Sequence, residues 1–161
     1  MKRWTPLHLA AALGKADMCE ALIKNKSPVR PQTDRAGELP SDLARANGHI
    51  RLAEMLESWT EDPAQSSSFD WLHGMMGRTE AIDALSNAEN KSAFLIRNSN
   101  NPRHTQLTFT LDLKFPIKDK ATKETKNNYE HYVIYRRGMY YHLDNGPLML
   151  SLEHLVDYYM L

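Results

Sequence analysis

A ten-residue pattern recurs 34 positions along the chain. Residues 5–14 read TPLHLAAALG and residues 39–48 read LPSDLARANG, so that Pro6 and Pro40, Leu9 and Leu43, Ala10 and Ala44, and Gly14 and Gly48 fall in register. Such a period constrains the fold strongly. Each repeat is one supersecondary unit that cannot bury its apolar face alone and must stack on a neighbour. The residue types fit a helical pair. Proline in the first helical turn loses nothing, because its missing N–H would be unpaired there anyway. Leu9, Ala10 and Leu13 are expected to share one face, and the small alanines admit a second helix closely. Gly14 and Gly48 suit the left-handed position that ends a helix. Each copy is followed by a second segment with apolar residues at helical spacing, KADMCEALIKN and HIRLAEMLESW.

Thr5, Pro6, Leu7, His8 and Ala10 carry the T-P-L-H-x-A signature. On these residues the first copy resembles an ankyrin repeat, whose period is about 33 residues. The second copy is degenerate, with Leu39 in place of Thr5 and Asp42 in place of His8. A plain pair of helical hairpins is the alternative. Two repeats are too few to bury a continuous core, so either the rest of the chain caps the stack or the sequence is cut from a longer array. Composition then shifts. Residues 60–68, TEDPAQSSS, are polar, short and interrupted by proline, which is linker chemistry. Trp59 and Phe69 flank this stretch, and either anchor its ends or belong to separate cores.

The second half reads as a helix, an antiparallel sheet and another helix, an α+β arrangement. TEAIDALSNA is amphipathic, with Ala81, Ile82 and Leu85 inward. AFLIRNS is an apolar strand. LTFTLDL alternates with period two and places Leu107, Phe109, Leu111 and Leu113 on one side. Residues 114–129 are lysine-rich and read as a loop. EHYVIYRR and MYYHL are further strands, Asp144-Asn145-Gly146-Pro147 is a turn, and SLEHLVDYYM is a helix with Ser151 as N-cap.

Four motifs in this order resemble the SH2 domain family: WLHG at 71–74 with Arg78, FLIRNS at 94–99, HYVI at 131–134, and LEHLVDYY at 152–159. The resemblance covers residues 70–161 and implies a central antiparallel sheet flanked by two helices. The domains expected are ankyrin repeats over 1–59, a linker over 60–69, and an SH2 domain over 70–161. Family members usually continue through a further loop and short strand, so this one reads as truncated at its C-terminal end.

Arg97 is the residue most in need of an explanation from the sequence alone. It follows three apolar residues inside a strand, where a guanidinium is expensive to bury without a partner. Its planar fork matches two phosphate oxygens. The resemblance implies that it holds the phosphate of a phosphotyrosine. An exposed arginine on a sheet edge is the bland alternative. Ser99, two residues on, points to the same side and has a hydroxyl to donate. The loop beginning at Asn100 is implied to wrap the phosphate with backbone N–H groups, although Pro102 removes one donor. Arg78 is implied to lie over phosphate and ring, and His131 to line the pocket. Val133 stands where many members carry lysine, which shifts the burden to Arg78. Tyr132, on the opposite side, and Leu143 are implied to read the peptide beyond the phosphotyrosine.

The whole chain has 161 residues and a formal net charge of zero, so no global field points to nucleic acid or an anionic membrane. The lysines between Lys118 and Lys126 are interrupted by Asp119 and Glu124, as in a solvated loop. One cysteine, Cys19, excludes an internal disulfide and a multi-cysteine zinc site, favours a reducing compartment, and fits a core position. No apolar run reaches membrane-spanning length. HExxH, GxSxG, P-loop and kinase signatures are missing, so neither catalysis nor a cofactor is expected. Ankyrin repeats directly before an SH2 domain resemble the targeting region of the Shark-type cytoplasmic tyrosine kinases. That implies a tyrosine-phosphorylated protein or peptide as partner, a possible protein partner at the ankyrin surface, and recruitment to phosphorylated receptors at the inner face of the plasma membrane. An ankyrin scaffold with a non-binding SH2 fold is the alternative.

Overall fold

The computed structural model describes residues 3–33, 36–90, 93–99 and 108–160. Contacts divide the chain into two compact units, Met1–Gln65 with Arg136–Leu161, and Ser66–Tyr135.

The first unit begins with α1 (Pro6–Ala12), α2 (Ala16–Lys24), α3 (Pro40–Ala46) and α4 (Ile50–Glu57), two helical pairs at the period read from the sequence. Thr5 caps α1: its hydroxyl accepts from the His8 N–H at 3.3 Å, and His8 Nδ1 accepts from the Thr5 N–H at 3.1 Å. The other ring nitrogen, Nε2, therefore carries the proton and donates to the Glu38 carbonyl at 2.9 Å. In the second pair half of this box survives, Asp42 accepting from the Leu39 N–H at 2.8 Å. Both α1 and α3 end alike. Lys15 N–H bonds Ala10 O and Gly14 N–H bonds Ala11 O; His49 N–H bonds Ala44 O and Gly48 N–H bonds Arg45 O. This six-to-one and five-to-two pattern requires the left-handed residue that Gly14 and Gly48 supply, at φ +71° and +83°. At Gly14 a Cβ would also meet the His49 ring at 2.5 Å, so the first turn packs directly on the second.

Leu7, Ala10, Ala11, Cys19, Ala44, Leu52, Ala53 and Leu56 form the repeat core, and burial raises the Cys19 thiol pKa. The inward face of α1 differs from the expected one. Ala10 is buried, but with Leu7 and Ala11, whereas Leu9 and Leu13 are exposed. The shift of about one residue follows from α3 packing across the alanine side of α1.

The same unit contains β5 (Tyr140–Leu143) and α6 (Leu152–Met160), with Ser151 capping α6 through the His154 N–H at 3.1 Å. Arg30 joins these segments to the repeats. Its backbone carbonyl accepts from Leu148 at 2.8 Å. Its guanidinium is ion-paired to Glu61 at 2.8 Å, donates to the carbonyls of Glu57 and Trp59, and lies 4.6 Å from the Tyr140 ring centre. Gln32 donates to Gly146 O at 2.7 Å. The polar stretch 60–65 follows α6, with Asp62 O accepting from His154 and Asp157 accepting from the Gln65 N–H. Phe69, a candidate anchor, is 93% exposed and holds neither core.

The second unit holds β1 (Leu72–Met75), α5 (Arg78–Ser86), β2 (Ala93–Ser99), β3 (Thr108–Lys118) and β4 (Thr125–Arg137), the last strand running on into the first unit. The sheet order is β1-β2-β3-β4-β5, β1 parallel to β2 and the next two pairings antiparallel. Helix α5 seats Ala81 and Leu85 on Leu95. The region 114–129 is mostly strand rather than loop: β3 and β4 pair out to Lys118 and Thr125. Polar residues occupy it because the outer end of this hairpin is exposed on both faces.

Two outcomes follow. Burial lowers the His8 pKa from its usual value, against the raising effect of its bond to the Glu38 carbonyl. The unfolded chain therefore takes up the proton first, and this share of stability is full above about pH 6.5 and lost as pH falls. Stability of the first unit measured against pH is expected to flatten in that window in His8→Gln. Arg30→Met is expected to cost about 3–5 kcal/mol in urea unfolding, because it strands Glu61 and two carbonyls; a cost below about 1 kcal/mol would show that Arg30 joins nothing.

Candidate functional site

Strand register gathers the polar residues on one face. Leu95 pairs with Asp112, Arg97 with Thr110 and Ser99 with Thr108; Thr110 pairs in turn with Val133 and Asp112 with His131. Alternation places all of them on the side of Leu95, the side that α5 covers. Arg97, Ser99, Thr110, Asp112 and Lys114 are all buried there. The opposite face carries Ile96, Leu111 and Ile134, which are buried as well.

Arg97 is 7% exposed. Its Nε donates to Asp112 Oδ2 at 2.6 Å, and its Nη2 lies 3.4 Å from Asp112 Oδ1, a side-on pairing. Its Nη1 donates to the Met76 carbonyl at 2.9 Å. Asp112 is fully buried, and its Oδ1 also accepts from His131 Nδ1. A carboxylate only accepts, so Nδ1 bears the His131 proton. Among the described residues, Arg97 thus commits three of its five N–H groups and keeps one on each terminal nitrogen.

The other expected residues fall as follows. The Ser99 hydroxyl is bonded to Thr110 Oγ1 at 2.7 Å and to Thr108 Oγ1 at 3.1 Å. Arg78 is exposed at the first turn of α5, two residues after the carbonyl that holds Arg97. Tyr132 sits on the opposite face, its hydroxyl donating to Glu130. Leu143 lies half-buried at the end of β5, in the other unit. Asn100 and the loop it opens lie outside the described residues. Lys114, on the Arg97 face, donates to Ala88 O at 3.0 Å. Asp112 and Lys114 share the buried polar face with Arg97, a placement that the pattern of the sequence concealed. Among the described residues no group of acids, histidines or cysteines is placed to hold a metal ion, and no helix is long and apolar enough to cross a membrane.

The SH2 domain family profile matches residues 71–159. The chain belongs to the SH2 domain family. Its membership implies phosphotyrosine binding and phosphotyrosine-containing protein partners. The ankyrin repeat profile matches residues 2–34, upstream of the SH2 region. The chain is 27% identical over 169 residues to the tyrosine-protein kinase Shark of Drosophila melanogaster, and 30% identical over 158 residues to the tyrosine-protein kinase HTK16 of Hydra vulgaris. Each alignment takes in 98% of this chain but only 18% and 19% of the relatives' own length. The matched families are thus a binding module and a repeat, and the chain spans less than a fifth of the kinases it resembles.

Proposed function

We propose that the chain targets a signalling protein, a non-receptor tyrosine kinase, to tyrosine-phosphorylated receptors or adaptors through the phosphate-holding guanidinium of Arg97. The supporting observation is the state of that side chain. It is nearly buried on the polar face of the sheet, fixed by Asp112 and Met76, with one N–H left on each terminal nitrogen among the described residues. That end-on pair matches two phosphate oxygens. In this reading Arg78 reaches the phosphate and ring from the start of α5, and Ser99 and the loop at Asn100 supply further donors. His131 lines the pocket by way of Asp112, and Tyr132 and Leu143 contribute to reading the peptide. Recruitment to the inner face of the plasma membrane follows from where phosphorylated receptor tails lie.

A second reading is an ankyrin-based interaction scaffold with a silent SH2 fold. The observation in its favour is the same ion pair, since Asp112 already satisfies the charge of Arg97. One titration separates them. Arg97→Ala is expected to weaken binding of a phosphotyrosine peptide by roughly 2–5 kcal/mol, while the unphosphorylated peptide binds neither form. Equal affinity of wild type and variant for the phosphopeptide would favour the scaffold.

A further inference from the structure

The fully buried carboxylate of Asp112 touches two residues expected in the phosphate pocket, Arg97 and His131. We propose that Asp112 sets the affinity of the pocket by competing with phosphate for Arg97, so that the site trades strength for dependence on the terminal edge of one guanidinium. The inference rests on the phosphotyrosine reading of Arg97 and adds a residue that weakens it.

Three observations carry it. First, the carboxylate takes the Nε–Nη2 edge of Arg97, one of the two edges through which a guanidinium binds an oxyanion bidentately. The phosphate is left with the Nη1–Nη2 edge, where Nη1 already donates to Met76 O. Second, His131 spends Nδ1 on the same carboxylate, so its proton serves Asp112. Third, the charges cancel. Arg97 and Asp112 sum to zero, and Lys114, the other buried cation on this face, is turned to a backbone carbonyl. A phosphotyrosine phosphate carries about −1.5 to −2 at neutral pH. Seated on Arg97 it lies one guanidinium away from a carboxylate, in a setting where water screens little.

Asp112→Asn keeps the shape and the acceptor for Nε while removing the charge. The test titrates wild type, Asp112→Asn and Asp112→Ser with one phosphotyrosine peptide and its unphosphorylated twin, with urea unfolding of each chain alongside. At least a ten-fold gain for the phosphopeptide in a folded variant is expected, with no gain for the plain peptide and with the gain erased by adding Arg97→Ala. Unchanged or weaker binding in a folded variant overturns the proposal and makes Asp112 a positioning residue for Arg97. If wild type binds and the variants do not improve, only this inference fails. If no chain distinguishes the two peptides, the phosphotyrosine reading fails with it. Should neither variant fold, the wild type decides: the Arg97 Nε–H resonance is expected to stay in place when phosphopeptide is added, and its displacement onto phosphate overturns the competition.

Discussion

A guanidinium inside a sheet must be neutralised or it will not stay there, and in this chain the ion pair between Arg97 and Asp112 does that work. The cost of taking both charges from water is offset only by good geometry and by bonds to the remaining lone pairs and protons. Here the carboxylate accepts from Nε and from His131 Nδ1, and the Met76 carbonyl accepts from Nη1. These contacts fix the arginine in one orientation. They also leave the end of its fork as the portion still open to a ligand among the described residues. In the proposed reading, recognition and folding draw on the same five N–H groups.

The first unit solves a similar problem differently. Arg30 is equally buried and, among the described residues, also commits three N–H groups: one from Nη1 to Glu61 and both of Nη2 to the Glu57 and Trp59 carbonyls, with its face on the Tyr140 ring. Its role is to join the repeats to β5 and α6. The two buried arginines differ in which N–H groups their partners leave among the described residues: one on each terminal nitrogen of Arg97, and Nε with one on Nη1 of Arg30.

Much of this was readable in the sequence, for definite reasons. The 34-residue period and the glycine stops are local chemistry, and they form where expected. The α+β order of the second half follows from alternation and turn residues. What escaped was long-range. In LTFTLDL the apolar residues announce one buried face and leave Thr110 and Asp112 on the other unremarked; α5 covers that side too. Lys114 was hidden in the same way, inside a stretch that looked like a lysine-rich loop. Leu9 and Leu13 look like core by spacing but are exposed, because the neighbouring helix chooses the alanine side of α1. Binary pattern identifies a face, whereas the partner above that face determines what it does.

The most direct measurement is a crystal structure of the chain with a phosphotyrosine peptide. The account predicts phosphate oxygens about 3 Å from both terminal nitrogens of Arg97, with Nε still on Asp112. A phosphate bound elsewhere on the chain, with Arg97 untouched, would contradict it.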